Sequence, residues 1–90
     1  MLEPRSTSRQ LDGECYHNGQ VKKVRISDLL TGGCTVDTLP LGAQMEDFVR
    51  LSIAQSIQVN GYVASRDAAG ATIRFYGEIH PFVVNRLETR

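Results

Sequence analysis

The sequence predicts a mainly β fold, a small six-stranded antiparallel barrel carrying a short C-terminal α-helix. Three observations point there. Short apolar runs alternate with period two and are separated by regular turn signals. Two of those signals, Asn18-Gly19 and Asp67-Ala68-Ala69-Gly70, suit hairpin loops. Only near the end of the chain does the apolar spacing change to a helical period.

The elements follow in order. Residues 1–10 are polar, carry Pro4 and show no apolar period, so they are expected to form a flexible arginine-bearing segment ahead of one domain over 11–90. From Leu11, LDGECYHNG alternates loosely and ends at Asn18-Gly19, a pair that tolerates positive φ at both positions. In QVKKVRIS, Lys22, Val24 and Ile26 share one face, and Val24 and Ile26 are expected to point inward. DLLTGG reads as a glycine turn after that strand. CTVDTL forms a short strand stopped at Pro40. MEDFVRLSI is ambiguous between strand and helix, but Phe48, Val49, Leu51 and Ile53 favour strand. SIQVNGYVAS places Ile57, Val59, Gly61 and Val63 on one face, with Gly61 marking a bulge or tight bend. ATIRFYG returns with Ala71, Ile73 and Phe75 together. His80-Pro81 then starts a helix whose stripe is Phe82, Val83, Val84 and Leu87.

Ninety residues allow one domain, and 41% apolar with 22% charged residues is an ordinary globular balance. Ten Lys and Arg offset ten Asp and Glu, which argues against a protein that coats duplex nucleic acid through excess positive charge. Cations nevertheless gather at the front. Arg5, Arg9, Lys22, Lys23 and Arg25 stand against Glu3, Asp12 and Glu14, whereas 28–49 holds four acids and no base. No apolar run reaches the roughly 20 residues of a membrane span, and the N-terminus lacks the apolar core of a signal peptide. A cytoplasmic chain without membrane insertion is expected.

Cys15 and Cys34 are too few and too far apart for a disulfide framework or zinc site, and read as buried structural thiols. A Cys–His nucleophile pair with His17 or His80 lacks any nearby group to activate the thiol. No serine-nucleophile, metalloprotease or phosphate-loop motif is present. The expectation is a non-enzymatic protein with no cofactor.

Two features combine into a candidate site. Arg5-Ser-Thr-Ser-Arg9 places two arginines four apart, and Asp28-Leu29-Leu30-Thr31-Gly32-Gly33 places an acid ahead of paired glycines. Singly, the arginines read as solvated charge and Asp28 as a turn cap. Lys22, Lys23 and Arg25 read as an exposed strand face, and Tyr62, Phe75 and Phe82 as core or rim packing. In this order and spacing the chain resembles the PilZ family of cyclic di-GMP receptors. That family carries R-x-x-x-R near its N-terminus and [D/N]-x-S-x-x-G some twenty residues on. Arg5 and Arg9 match the first motif; Asp28 and Gly33 match the ends of the second. The likeness continues through SIQVNGYVASRDAAGATIRF and the helix after Pro81, so it spans essentially the whole chain.

The resemblance implies a receptor and adaptor that binds cyclic di-GMP through Arg5, Arg9, Asp28, Leu30, Thr31, Gly32 and Gly33, changes conformation and signals through a protein partner. The chemistry suits the ligand. A guanidinium grips a phosphate, stacks on a base or bonds guanine O6 and N7 in bidentate fashion. A carboxylate accepts from the guanine N1–H and N2–H₂ edge, and glycines let a flat base approach the backbone. The chain departs from the family at Leu30, which stands in the serine position, and at Pro4, where a further arginine often precedes the first motif. Loss of one ligand hydrogen bond costs about 1 kcal/mol, so weakened binding is expected, with one ligand per chain and a monomer favoured. Two rivals stay open: a degenerate member that acts only as a protein-interaction module, and a small barrel that binds single-stranded nucleic acid. The second needs a basic groove with aromatic platforms, and DNA or RNA is not the expected partner.

Overall fold

The computed structural model describes residues 10–88. Among them six strands precede one helix: β1 (Leu11–His17), β2 (Gln20–Leu30), β3 (Gly33–Val36), β4 (Phe48–Ile53), β5 (Ile57–Asp67), β6 (Gly70–Phe75) and α1 (Pro81–Glu88). The strands close into an antiparallel barrel in the order β1-β2-β3-β6-β5-β4, with β4 returning to pair with β1. Closure leaves no unpaired sheet edge between first and last strand. The predicted fold class is the observed one.

Local chemistry explains the hairpins. Asn18 and Gly19 have φ of 48° and 79°, the two left-handed residues that a two-residue turn needs, and they set His17 opposite Gln20. At the β5–β6 hairpin Asp67 pairs with Gly70, and the Asp67 carboxylate accepts the Ala69 N–H at 2.8 Å. This side chain satisfies a loop donor in the way that favours aspartate in turns.

Alternation fills the interior. Val24 and Ile26 of β2, Val49, Leu51 and Ile53 of β4, Val63 of β5, and Ala71, Ile73 and Phe75 of β6 are all buried. Cys15 and Cys34 lie in the same core as free thiols. On α1, Leu87 is buried and Val83 and Val84 pack partly against the core, while the helix rests on β2. Phe82 departs from the expected stripe and is exposed, with the Arg86 guanidinium 5.9 Å from its ring. His80 starts the helix, its Nδ1 accepting the Phe82 N–H at 3.0 Å.

Two expectations are corrected. DLLTGG is not wholly a turn, because β2 continues through Leu30 and β3 begins at Gly33, leaving Thr31-Gly32 as the turn. The register slips between Ser27, opposite Thr35, and Leu30, opposite Gly33. Asp28 takes a left-handed φ of 52° within that slip, the geometry of a β-bulge. Strict alternation after Val24 and Ile26 would turn Asp28 inward. The extra residue instead leaves Asp28 exposed, turns Leu29 into the core at 2% exposure, and leaves Leu30 at 67%. The second correction concerns Gly61, which stays in register opposite Val49 and Phe75; the slip in β5 falls between Val63 and Ser65.

The parity change gives adjacent leucines different weights. Leu29→Ala should lower unfolding free energy by about 2–5 kcal/mol, as for a buried leucine. Leu30→Ala should change it by no more than about 0.5 kcal/mol, as at an exposed position. Urea denaturation of both variants checks this, and equal losses would contradict the bulged register.

Candidate ligand groove at the β2–β3 turn

Asp28, Leu30, Thr31, Gly32 and Gly33 all line one groove of about 380 Å³, together with Thr35, Thr72, Arg74 and Glu78. Arg5 and Arg9 lie outside the described residues. The five described positions meet because the bulge turns Asp28 outward and the two-residue turn brings β3 straight back along β2. Neither glycine supplies a left-handed backbone; that conformation belongs to Asp28. Gly33 serves close approach instead, since a Cβ there would lie 2.5 Å from the Ile73 carbonyl oxygen. Gly32 has open space around it, so its missing side chain leaves room beside the turn.

The turn is held from the far side. The Gly32 carbonyl accepts the Phe75 N–H at 2.9 Å, and the Thr31 carbonyl accepts the Ile79 N–H at 2.8 Å. These bonds dock the segment after β6 against the turn and bring Glu78 to the groove wall. Arg74 reaches the groove because β6 pairs it with Gly33. Sequence reasoning missed both residues. Arg74 alternates outward between buried Ile73 and Phe75, so its exposure was legible, but its neighbour across the β3–β6 pair was not.

Charge in the described part of the groove comes from two carboxylates, Asp28 and Glu78, and one guanidinium, Arg74. The chain enters the barrel close by. β1 begins at Leu11 opposite Ile26, two residues before Asp28 on β2. Arg9 stands two residues before Leu11 and Arg5 six.

Other clefts have different character. One of about 520 Å³ lies over β1 and β2 and includes Asp12, Glu14, Lys23, Arg25 and Asp37. Arg25 Nε there is 3.5 Å from Asp12 Oδ1, and Asp37 Oδ1 accepts the Arg25 backbone N–H at 2.8 Å. A third cleft, of about 430 Å³, includes His17, Asp47 and Arg50. There His17 Nε2 and Asp47 Oδ2 are 2.9 Å apart, and the same oxygen accepts the Gln44 N–H at 3.0 Å. That Gln44 bond, followed by His17, holds the Asp47 carboxyl below the ordinary aspartate range. Among the described residues no group of three or more His, Cys, Asp or Glu is placed to hold a metal, and no helix is long and apolar enough to cross a membrane.

The thiols are poor nucleophiles here. Burial pushes the Cys15 thiol up to about 11, and burial with a smaller contribution from Cys15 pushes Cys34 up to about 12. Comparison with family models, with curated proteins and with solved structures finds no match to this chain.

Native protein at neutral pH should react with a thiol-specific reagent only at the rate of unfolding, and a rapid stoichiometric reaction would show an accessible thiolate. A carboxyl with a lowered folded-state pKa contributes stability above its unfolded pKa and loses it as pH falls through the folded value. Asp47→Asn should therefore be less stable than the parent at pH 7, with the difference shrinking below the ordinary aspartate range. Thermal melts at both pH values test this; a gap unchanged into acid would contradict it.

Proposed function

We propose that this domain is a non-enzymatic cytoplasmic receptor for cyclic di-GMP, of the PilZ kind its motifs resemble, which binds the ligand in the β2–β3 groove and signals to a protein partner. One observation carries the reading. The residues of the second motif share a groove, and β1 begins at Leu11 opposite Ile26, two residues before that groove's acid.

Charge decides the division of labour. The described wall has one more carboxylate than guanidinium, so it repels a dianion unless Arg5 and Arg9 are drawn over it. The acid Asp28 then serves a base edge, accepting from guanine N1–H and N2–H₂, while the guanidinium groups meet the phosphates. Open space at Gly32 admits a flat ring against the backbone. Recruitment of the arginine segment by the ligand alters the surface beside β1 and β2. A partner that reads this surface receives the signal as a population shift.

Leu30 favours a second reading. It is a large apolar side chain at 67% exposure on the groove wall, where the family has serine. Such a residue suits contact with a protein at a site that has given up the nucleotide.

Isothermal calorimetry of the purified chain with cyclic di-GMP separates the two. The receptor reading predicts saturable heat at tens of micromolar ligand, at least a ten-fold loss for Arg9→Ala, and about a five-fold gain for Leu30→Ser from one recovered hydrogen bond. No heat from either parent or Leu30→Ser overturns it in favour of the protein-interaction module. Unchanged affinity in Arg9→Ala overturns the proposed site.

A further inference from the structure

Three aromatic side chains gather on the outer wall beside the groove. Phe48 on β4 is the cross-strand partner of Tyr62 on β5, Tyr62 is the partner of Arg74 on β6, and Arg74 is the partner of Gly33 on β3. Cross-strand partners project from the same face of a sheet. A row therefore runs Phe48, Tyr62, Arg74, Gly33 around the barrel and ends at the groove. Tyr76 follows β6 and completes the cluster. Its ring stacks on Phe48 at 6.1 Å and 17°, and tilts against Tyr62 at 5.4 Å and 41°.

Two of the three rings are exposed, and backbone hydrogen bonds tie the segment carrying Tyr76 to its neighbours. Phe48 and Tyr76 keep 55% and 63% of their surface in water. The Tyr76 N–H donates to the Asn60 carbonyl at 3.0 Å, and its neighbour Phe75 donates to Gly32 in the groove turn. Rings left in water side by side mark a binding surface more often than rings scattered singly. The occupant is indicated by what adjoins them. Arg74 is the one guanidinium among the described residues lining the groove, and it stands between the rings and the glycine turn. A flat aromatic surface next to an arginine is the pairing that receives a base and its phosphate. The groove's volume of about 380 Å³ is near the lower end of the roughly 300–1,000 Å³ of small-molecule sites. A ligand with two purines extends beyond it.

We propose that Phe48, Tyr62 and Tyr76 form a stacking shelf for one guanine of the ligand, with Arg74 holding the adjoining phosphate while the other guanine meets Asp28. This rests on the receptor reading above and adds a second half to its site. Loss of a stacked base on alanine substitution corresponds to about five- to a hundred-fold in affinity.

The test uses the full chain with cyclic di-GMP, calorimetry and intrinsic tyrosine fluorescence, which is readable because the chain has no Trp and only Tyr16, Tyr62 and Tyr76. The shelf predicts quenching of tyrosine emission on binding, and at least a ten-fold loss of affinity in Tyr76→Ala and in Arg74→Ala. Tyr62→Phe with Tyr76→Phe keeps rings in place, so affinity should fall less than three-fold while most of the quench disappears. This pair also guards against misfolding, since phenylalanine preserves the ring packing. Parent binding with unchanged affinity in Arg74→Ala and Tyr76→Ala overturns the shelf and leaves the groove reading standing. No binding by either the parent or Leu30→Ser overturns both.

Discussion

A strand in a closed barrel must send alternate side chains into the core, and β2 obeys that rule through Val24 and Ile26. Continued unbroken, it would aim the Asp28 carboxylate into an interior built from Leu51, Ile53, Ile73 and Val36, where an ion without a partner is strongly disfavoured. The chain resolves the conflict by inserting one residue. Asp28 takes the left-handed conformation that aspartate tolerates better than most side chains, Leu29 assumes the inward place, and Leu30 faces out. The candidate site depends on this single change of parity. It puts an acid on the outer wall without leaving a hole beneath it.

The rest of the groove follows from what must fit around the bulge. Gly33 lets β3 lie close to the Ile73 carbonyl, and the Thr31 and Gly32 carbonyls tie the turn to the chain beyond β6. That tie has a second effect. It places Tyr76 over Phe48 and Tyr62, so the residues shaping the groove also position the exposed rings beside it. Arg74 joins the two regions through its pairings with Gly33 and Tyr62. Groove and aromatic cluster are thus linked through Arg74 and the turn's hydrogen bonds.

Much of the fold was legible because period-two alternation reports burial directly. Val24, Ile26, Ala71, Ile73 and Phe75 lie inside as the spacing predicts, and Asn18-Gly19 turns as its chemistry requires. The bulge was not legible, because a residue in left-handed conformation has no signature beyond tolerance, and two glycines nearby drew the turn onto themselves. Phe82 misled for a related reason: helical spacing assigns four residues to one stripe, but a helix lying on a curved barrel buries only part of it. At the site, Asp28 to Gly33 are neighbours in sequence and could be read together. The aromatic cluster comes from β4, β5 and the segment after β6, and no local pattern unites Phe48, Tyr62 and Tyr76. Six aromatics scattered along the chain became three in contact only through strand order.

The proposed receptor function centres ligand recognition on the bulged turn and not on the cleft over β1 and β2. Amide chemical-shift mapping by NMR during titration with cyclic di-GMP tests it most directly. Saturable shifts are expected at Asp28 to Gly33, Arg74 and Tyr76, joined by the amides of the segment bearing Arg5 and Arg9. Shifts confined to Asp12, Glu14, Lys23 and Arg25, or none at millimolar ligand, would contradict it.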